Sequence, residues 1–154
     1  ADVRRVIRAL EVHRLTGRPL SSHHRETPLS ESECPPVFWL SPPRPWLHDR
    51  INRRVDRMLQ DGLVDEVRWL LALPEGLGRT AAQGLGYKEV IAFLKGEGSE
   101  AELATTIQAR TRQFAKRQLT WFRNLPECRP IEIDGTETPA ALAARVRAAF
   151  DESR

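Results

Sequence analysis

At 154 residues, with 40% hydrophobic and 29% charged side chains, the chain has the length and composition of one compact globular unit with a real core. No apolar run approaches the roughly 20 residues a membrane-spanning helix needs, so a helical membrane protein is excluded. The formal charge of +3 says less than its distribution, because arginine gathers in three places.

The opening "ADVRRVIRALEVHRLTG" has early arginines and no apolar h-region, and reads as the middle of a longer polypeptide rather than a signal peptide. Val3, Val6, Ile7 and Leu10 at helical spacing predict a helix over residues 2–16, stopped by Gly17 and Pro19. From Pro19 to Pro36 the polar, aperiodic "LSSHHRETPLSESECPP" predicts a connector. His23 and His24 in it lack ligand-spaced partners, and Cys34 and Cys128 lie too far apart to suggest zinc or a disulfide framework. No metal site is expected in this chain, and a reducing cytoplasm is the expected setting.

"VFWL" predicts a short strand closed by "SPPRP", and Pro45 suits the first turn of a helix whose Leu47, Ile51, Val55 and Met58 form one stripe up to Gly62. Val64, Val67, Leu70 and Leu71 predict another helix, and "AAQGLGYKEVIAFLKG" a turn feeding a short helix that ends at Gly96. Ser99 and Glu102 form a capping-box pattern opening the longest helix, expected to reach about Leu125. "PIEID" predicts a second strand, and Thr138-Pro139 starts a last helix.

On a wheel of about 100° per residue, Leu103, Ile107, Phe114, Trp121 and Leu125 share the expected core face of the long helix. Arg110 and Arg117 rim it beside Thr106, Gln113 and Thr120, a pattern that suits a phosphate backbone packed against the domain. Arg112, Lys116 and Arg123 point to the far side, where a solvated face is the simpler reading. In the second helix Arg50, Arg53, Arg54 and Arg57 share one arc beside the apolar stripe, and like charges so placed repel unless an anion neutralises them. Asp61, four residues after Arg57, offsets part of that charge, which leaves room for a structural salt-bridge cluster. Arg54, nearest the apolar edge, is the best candidate for a buried bidentate grip on phosphate oxygens. Arg4, Arg5 and Arg8 oppose the apolar face of the first helix, where solvent and nucleic acid are equally good partners. "QGLGYK" would allow close backbone approach and free amides at a helix N-terminus, although alone it reads as an ordinary turn. The four tryptophans are expected mainly to fill cores.

Taken in order, "DVRRVIRALEVHRLTG", "DRINRRVDRMLQDGLVDEVRWLL", "GLGYKEVIAFLKGE" and "TRQFAKRQLTWFRNL" closely resemble the C-terminal half of the bacterial tRNA dimethylallyltransferases, also called tRNA isopentenyltransferases. The resemblance implies a mostly α chain with a few short strands, the C-terminal part of an α/β fold like that of P-loop nucleoside kinases. It implies that residues 1–18 end a helical tRNA-gripping insertion, 19–36 form a connector loop, and 37–154 belong to the catalytic domain. The activity it implies is transfer of a dimethylallyl group from dimethylallyl diphosphate to the exocyclic amine of the adenine 3′ of the anticodon. Mg2+ would sit on the diphosphate. Arg54 aligns with the family's catalytic arginine, with Arg50, Arg53 and Arg57 as the basic cluster on the diphosphate side. The tRNA-touching segments correspond to Arg5 and Arg8, to Gln83, Gly84, Gly86, Tyr87 and Lys88, and to Lys116, Arg117, Gln118 and Arg123, which Arg110 would join.

The family's P-loop and catalytic aspartate have no counterpart here, since G-x-x-x-x-G-K-[ST] occurs nowhere in the chain. They are expected upstream, and the chain alone is expected to be inactive. The expected partners are the tRNA anticodon stem-loop and the allylic diphosphate, with no membrane and a monomeric state. Two rival readings are a non-enzymatic helical RNA-binding module and a structural domain whose arginines pair with Asp56, Asp61, Asp65 and Glu66.

Overall fold

The computed structural model describes residues 2–23 and 36–153, so His24, Cys34 and most of the expected connector lie outside the described residues. Where chain length suggests one unit, the chain divides into two, residues 1–35 and 36–154.

The first unit carries α1 (Val3–Thr16) and the four-residue α2 (Leu20–His23). Asp2 caps α1 by accepting from the Arg4 amide, and Gly17 ends it with φ 68°, a left-handed conformation that glycine adopts without strain. Its apolar stripe is not a core: Val3, Val6, Ile7 and Leu10 are all half or more exposed.

The second unit is a β–helix–β crossover followed by a last helix. β1 (Val37–Ser41) pairs in parallel with β2 (Cys128–Glu132), in register from Val37 opposite Cys128 to Ser41 opposite Glu132. β2 begins two residues earlier than "PIEID" suggests, and Pro130, which has no amide to donate, sits opposite Trp39. Between the strands run α3 (Arg44–Gln60), α4 (Leu63–Ala72), a single 3-10 turn (Ala81–Gln83), α5 (Tyr87–Leu94) and α6 (Glu100–Arg123); α7 (Pro139–Asp151) follows β2. Val55, Leu63, Val67, Val90, Leu103 and Ile107 form the core, drawn from α3, α4, α5 and α6. Trp39 is buried on β1 and stacks on Phe122 of α6, with ring centroids 5.9 Å apart.

α6 departs from the wheel. Leu103 and Ile107 are buried, whereas Phe114 is 45% and Trp121 60% exposed. A straight helix drifts against any fixed stripe, and the face turned to α3 passes instead through Gln108 and Arg112. Gln108 donates to Asp56 at 2.7 Å and Arg112 to Asn52 at 2.6 Å. The two rungs are four residues apart on each helix and run in opposite senses, so α3 and α6 pack antiparallel. Arg112 is therefore a half-buried tie between helices and not a solvated far-side charge. His48 continues this face, and its pKa is pushed below the ordinary histidine value by burial and then by Arg44 and Arg112.

Candidate functional site

α3 has to bury Ile51 and Val55, and this turns Arg50, Arg53, Arg54 and Arg57 outward together. The four side chains alone line a concavity of about 340 Å³. Arg53 is paired with Asp49, one turn earlier on the same helix, and Arg50 lies over the Trp46 ring, 5.3 Å from its centroid. Arg54 and Arg57 have no carboxylate partner among the described residues, and Asp61 does not offset them; its amide instead closes the helix on the Arg57 carbonyl. Arg54 is exposed rather than tucked against the apolar edge. Asp65 likewise pairs with Arg68 and Glu66 with Tyr87, while Asp56 takes the Gln108 amide, so none of these acids neutralises the arc. This much uncompensated positive charge in one concavity is suited to binding a polyanion.

The glycine turn is built differently from its sequence reading. Gly86 is buried at φ 92° and starts α5, but its amide donates to Glu89 at 2.9 Å, and the Lys88 amide bonds the Gly84 carbonyl. These amides are consumed within the turn, and a carboxylate already occupies the positive end of the helix. Tyr87 donates its hydroxyl to Glu66 of α4 at 2.5 Å, which raises the tyrosine pKa and ties α5 to α4. Gln83 and Lys88 stay exposed, Gly84 half-buried.

Lys88 and Arg110, from separate segments, line the same concavity of about 460 Å³. Glu89, Glu97 and Glu102 also line it, which the linear sequence did not reveal. Two of these acids are already engaged: Glu89 by Gly86, and Glu102 by the Ser99 amide and hydroxyl at 2.7 and 2.8 Å. Arg117 belongs to a different surface. It lies over Phe114, 5.6 Å from the ring centroid, and lines a more open concavity of about 520 Å³ with Gln113, Lys116, Thr120, Trp121 and Asn124. That lining contains no acid. Gln118 and Arg123 are exposed on the same helix. On α1, Arg5 and Arg8 are exposed and form surface pairs with Asp2 and Glu11.

A parallel strand pair joined by a helical crossover, with its charge on the first crossover helix, is the C-terminal part of a P-loop NTPase-like α/β fold, the fold of the structural neighbours. The family model for IPP transferase matches residues 1–125, and the chain belongs to that family. It is 44% identical over 146 residues to the tRNA dimethylallyltransferase of Desulforamulus reducens, covering 94% of this chain and 51% of that protein. To the tRNA dimethylallyltransferase of Pelotomaculum thermopropionicum it is 43% identical over 149 residues, covering 95% and 46%. The crystal structure of the tRNA delta(2)-isopentenylpyrophosphate transferase of Staphylococcus epidermidis superposes with a TM-score of 0.68 at 28% identity, over 98% of this chain and 49% of that one. The full-length tRNA isopentenylpyrophosphate transferase of Bacillus halodurans gives 0.64 at 33%, over 98% and 46%. The chain thus spans about half the length of the relatives it matches.

Proposed function

We propose that this chain is the C-terminal half of a prenyltransferase that moves a dimethylallyl group from its diphosphate to N6 of the adenine 3′ of a tRNA anticodon. The observation that carries the reading is the four-arginine concavity on α3, in a chain belonging to the IPP transferase family. As the allylic carbon–oxygen bond breaks, negative charge grows on the diphosphate, and guanidinium groups already fixed in place stabilise that charge more than the ground state. Arg54 is the catalytic residue in this reading, with Arg50, Arg53 and Arg57 around it. The tRNA would lie against Lys88 and Arg110 and against Lys116, Arg117, Gln118 and Arg123, with Gln83, Gly84, Gly86 and Tyr87 shaping the turn beneath, and Arg5 and Arg8 gripping from α1. The adenine has to leave its stack to present its amine.

Mg2+ enters only with the diphosphate. No group of three or more His, Cys, Asp or Glu side chains among the described residues could hold it, and its ligands are proposed to lie upstream of this chain. The base that takes the amine proton is likewise expected outside the chain. Alone, the chain should transfer no prenyl group. The setting is the cytoplasm; no helix among the described residues is long and apolar enough to cross a membrane.

The test is a transfer assay on an enzyme carrying this chain as its C-terminal half, with tRNA, dimethylallyl diphosphate and Mg2+. Arg54→Ala should lower the rate by about 100-fold or more with the fold intact. A rate near wild type for Arg54→Ala, with Arg50→Ala or Arg57→Ala crippled, would move the role to another arginine. Tight tRNA binding without any transfer by the complete enzyme would favour the RNA-binding module.

A further inference from the structure

We infer that Trp46 is a positioning residue for this reaction: the turn after β2 clamps its indole, and the indole face aims the Arg50 guanidinium into the arginine cleft. This rests on the diphosphate reading above and adds what holds one of its arginines in place.

Four arginines on one arc repel each other, so in an empty cleft their side chains tend to swing apart into water. Whatever holds a guanidinium in the cleft before the anion arrives reduces the ordering that binding must impose. A carboxylate does this only by neutralising the charge, as Asp49 does for Arg53. An aromatic face orients the cation and leaves its charge intact. Arg50 has the second kind of partner: it lies over the Trp46 ring, 5.3 Å from the centroid, and has no carboxylate partner among the described residues.

The ring can aim Arg50 only if the ring is itself fixed, and Trp46 sits in the first turn of α3, where the helix alone holds a side chain least firmly. The support comes from the far end of the crossover. Gly135, at φ 90°, packs so close to the indole that a Cβ there would overlap Nε1, Cδ1 and Cε2. Glycine alone combines that backbone conformation with that approach. The turn around it is tied on both sides. The Asp134 carboxylate accepts from the Thr136 amide and hydroxyl at 2.7 and 2.6 Å, and Glu137 accepts from the Asp134 and Gly135 amides at 3.1 and 2.9 Å. Arg145 of α7 donates to Glu137 at 3.0 Å and to the Glu132 carbonyl at 2.6 Å, which fastens the turn to the end of β2. The match to the family model ends at residue 125, so the turn and α7 lie beyond it and act on an arginine within it.

The experiment is calorimetric titration of the full chain with inorganic diphosphate, with the Arg50 Nε–H resonance followed in parallel. Trp46→Leu should weaken binding about three- to tenfold and return that resonance from its ring-shifted position to that of a solvated arginine. Trp46→Phe, which keeps an aromatic face, should restore most of the affinity. Gly135→Ala should reproduce the Trp46→Leu loss with the indole still present, and should add nothing to it in the double variant. Arg145→Met, which frees the turn without adding a Cβ, should act in the same direction, so the idea does not hang on one variant that fails to fold. A merely structural role would lower stability and leave the Arg50 resonance in place in every folded variant. If Arg54→Ala abolishes diphosphate binding while folded Trp46→Leu keeps wild-type affinity, this inference is wrong and the diphosphate reading stands. A loss in Trp46→Leu with none in Gly135→Ala and Arg145→Met would leave the turn without a role and overturn the inference equally. If inorganic diphosphate does not bind, or Arg54→Ala leaves its binding unaffected, both fall.

Discussion

The two halves of α6 carry the same kinds of residue and meet opposite surroundings. In the first half Leu103 and Ile107 are 4% and 2% exposed and belong to the core; in the second, Phe114 and Trp121 stand 45% and 60% exposed among lysine, arginine and neutral hydrogen-bonding groups. Apolar spacing identifies a face but not what covers it. The first half is covered because α3, α4 and α5 converge there. Beyond Arg112, among the described residues, Phe122 finds an aromatic partner off the helix in Trp39, while its neighbour Trp121 has a ring contact with Phe122.

The sharpest way to break this comparison is to truncate one large side chain in each half. Ile107→Ala should destabilise the chain by about 2–5 kcal/mol, through lost transfer energy and the cavity left behind. Trp121→Ala should cost less than about 1 kcal/mol, as surface changes usually do. Urea unfolding of both variants decides it, and equal losses would mean that Trp121 is packed in solution.

A smaller contrast separates two arginines on the same helix. Arg112→Ala removes a charged donor from a half-buried amide and should cost about 1–3 kcal/mol of stability, with little effect on tRNA affinity. Arg117→Ala should leave stability almost unchanged and weaken tRNA binding, lowering the slope of log affinity against log salt by about 0.7 to 0.9. A salt series on the complete enzyme measures both slopes. Equal slope losses would place Arg112 at the RNA and undo the tie assigned to it.

The smallest effect concerns the start of the helix. The Ser99 amide and hydroxyl hold the Glu102 carboxyl below its ordinary pKa. Since the folded value is the lower one, the cap's contribution is fully present above the ordinary carboxylate range and is lost as pH falls through the lowered value. Carboxyl chemical shifts of Glu102 should titrate below those of exposed glutamates in the wild type and move up in Ser99→Ala. Identical titrations in both proteins would remove the Ser99 hydroxyl, though not its amide, as a source of the shift.

Local chemistry was legible in the sequence where one segment contains the whole device. Ser99 with Glu102, and Thr138, cap the helices their spacing announces. The arginine arc was legible for the same reason, since a single helix displays it. Even there Asp49, one turn before Arg53, was a readable signal for the pairing that removes Arg53 from the free charges. What was not legible depends on convergence of distant segments. Nothing near Arg112 announces Asn52, 60 residues earlier, and nothing near Arg110 announces the glutamates of its concavity. The glycine turn misled in another way, because Glu89 within the motif competes for the amides an anion would need. The four-motif resemblance located the family, and it did so without specifying which side chains would be free.

The rungs between α3 and α6 also work as a gear. One contact would fix how far one helix slides along the other; two contacts, a turn apart, also fix how it rolls. Asn52 and Asp56 engage α6 on a side of α3 lying about 130° from the middle of the arginine arc, counted at 100° per residue. The aim of the guanidinium groups is thus set from behind, by neutral and acidic groups that never face the cleft. Inserting one residue directly after Asn52 would force a choice of rung. If Asn52 stayed engaged, Arg53 and Arg54 would each turn by about 100°, and the arc would point away from where it now converges.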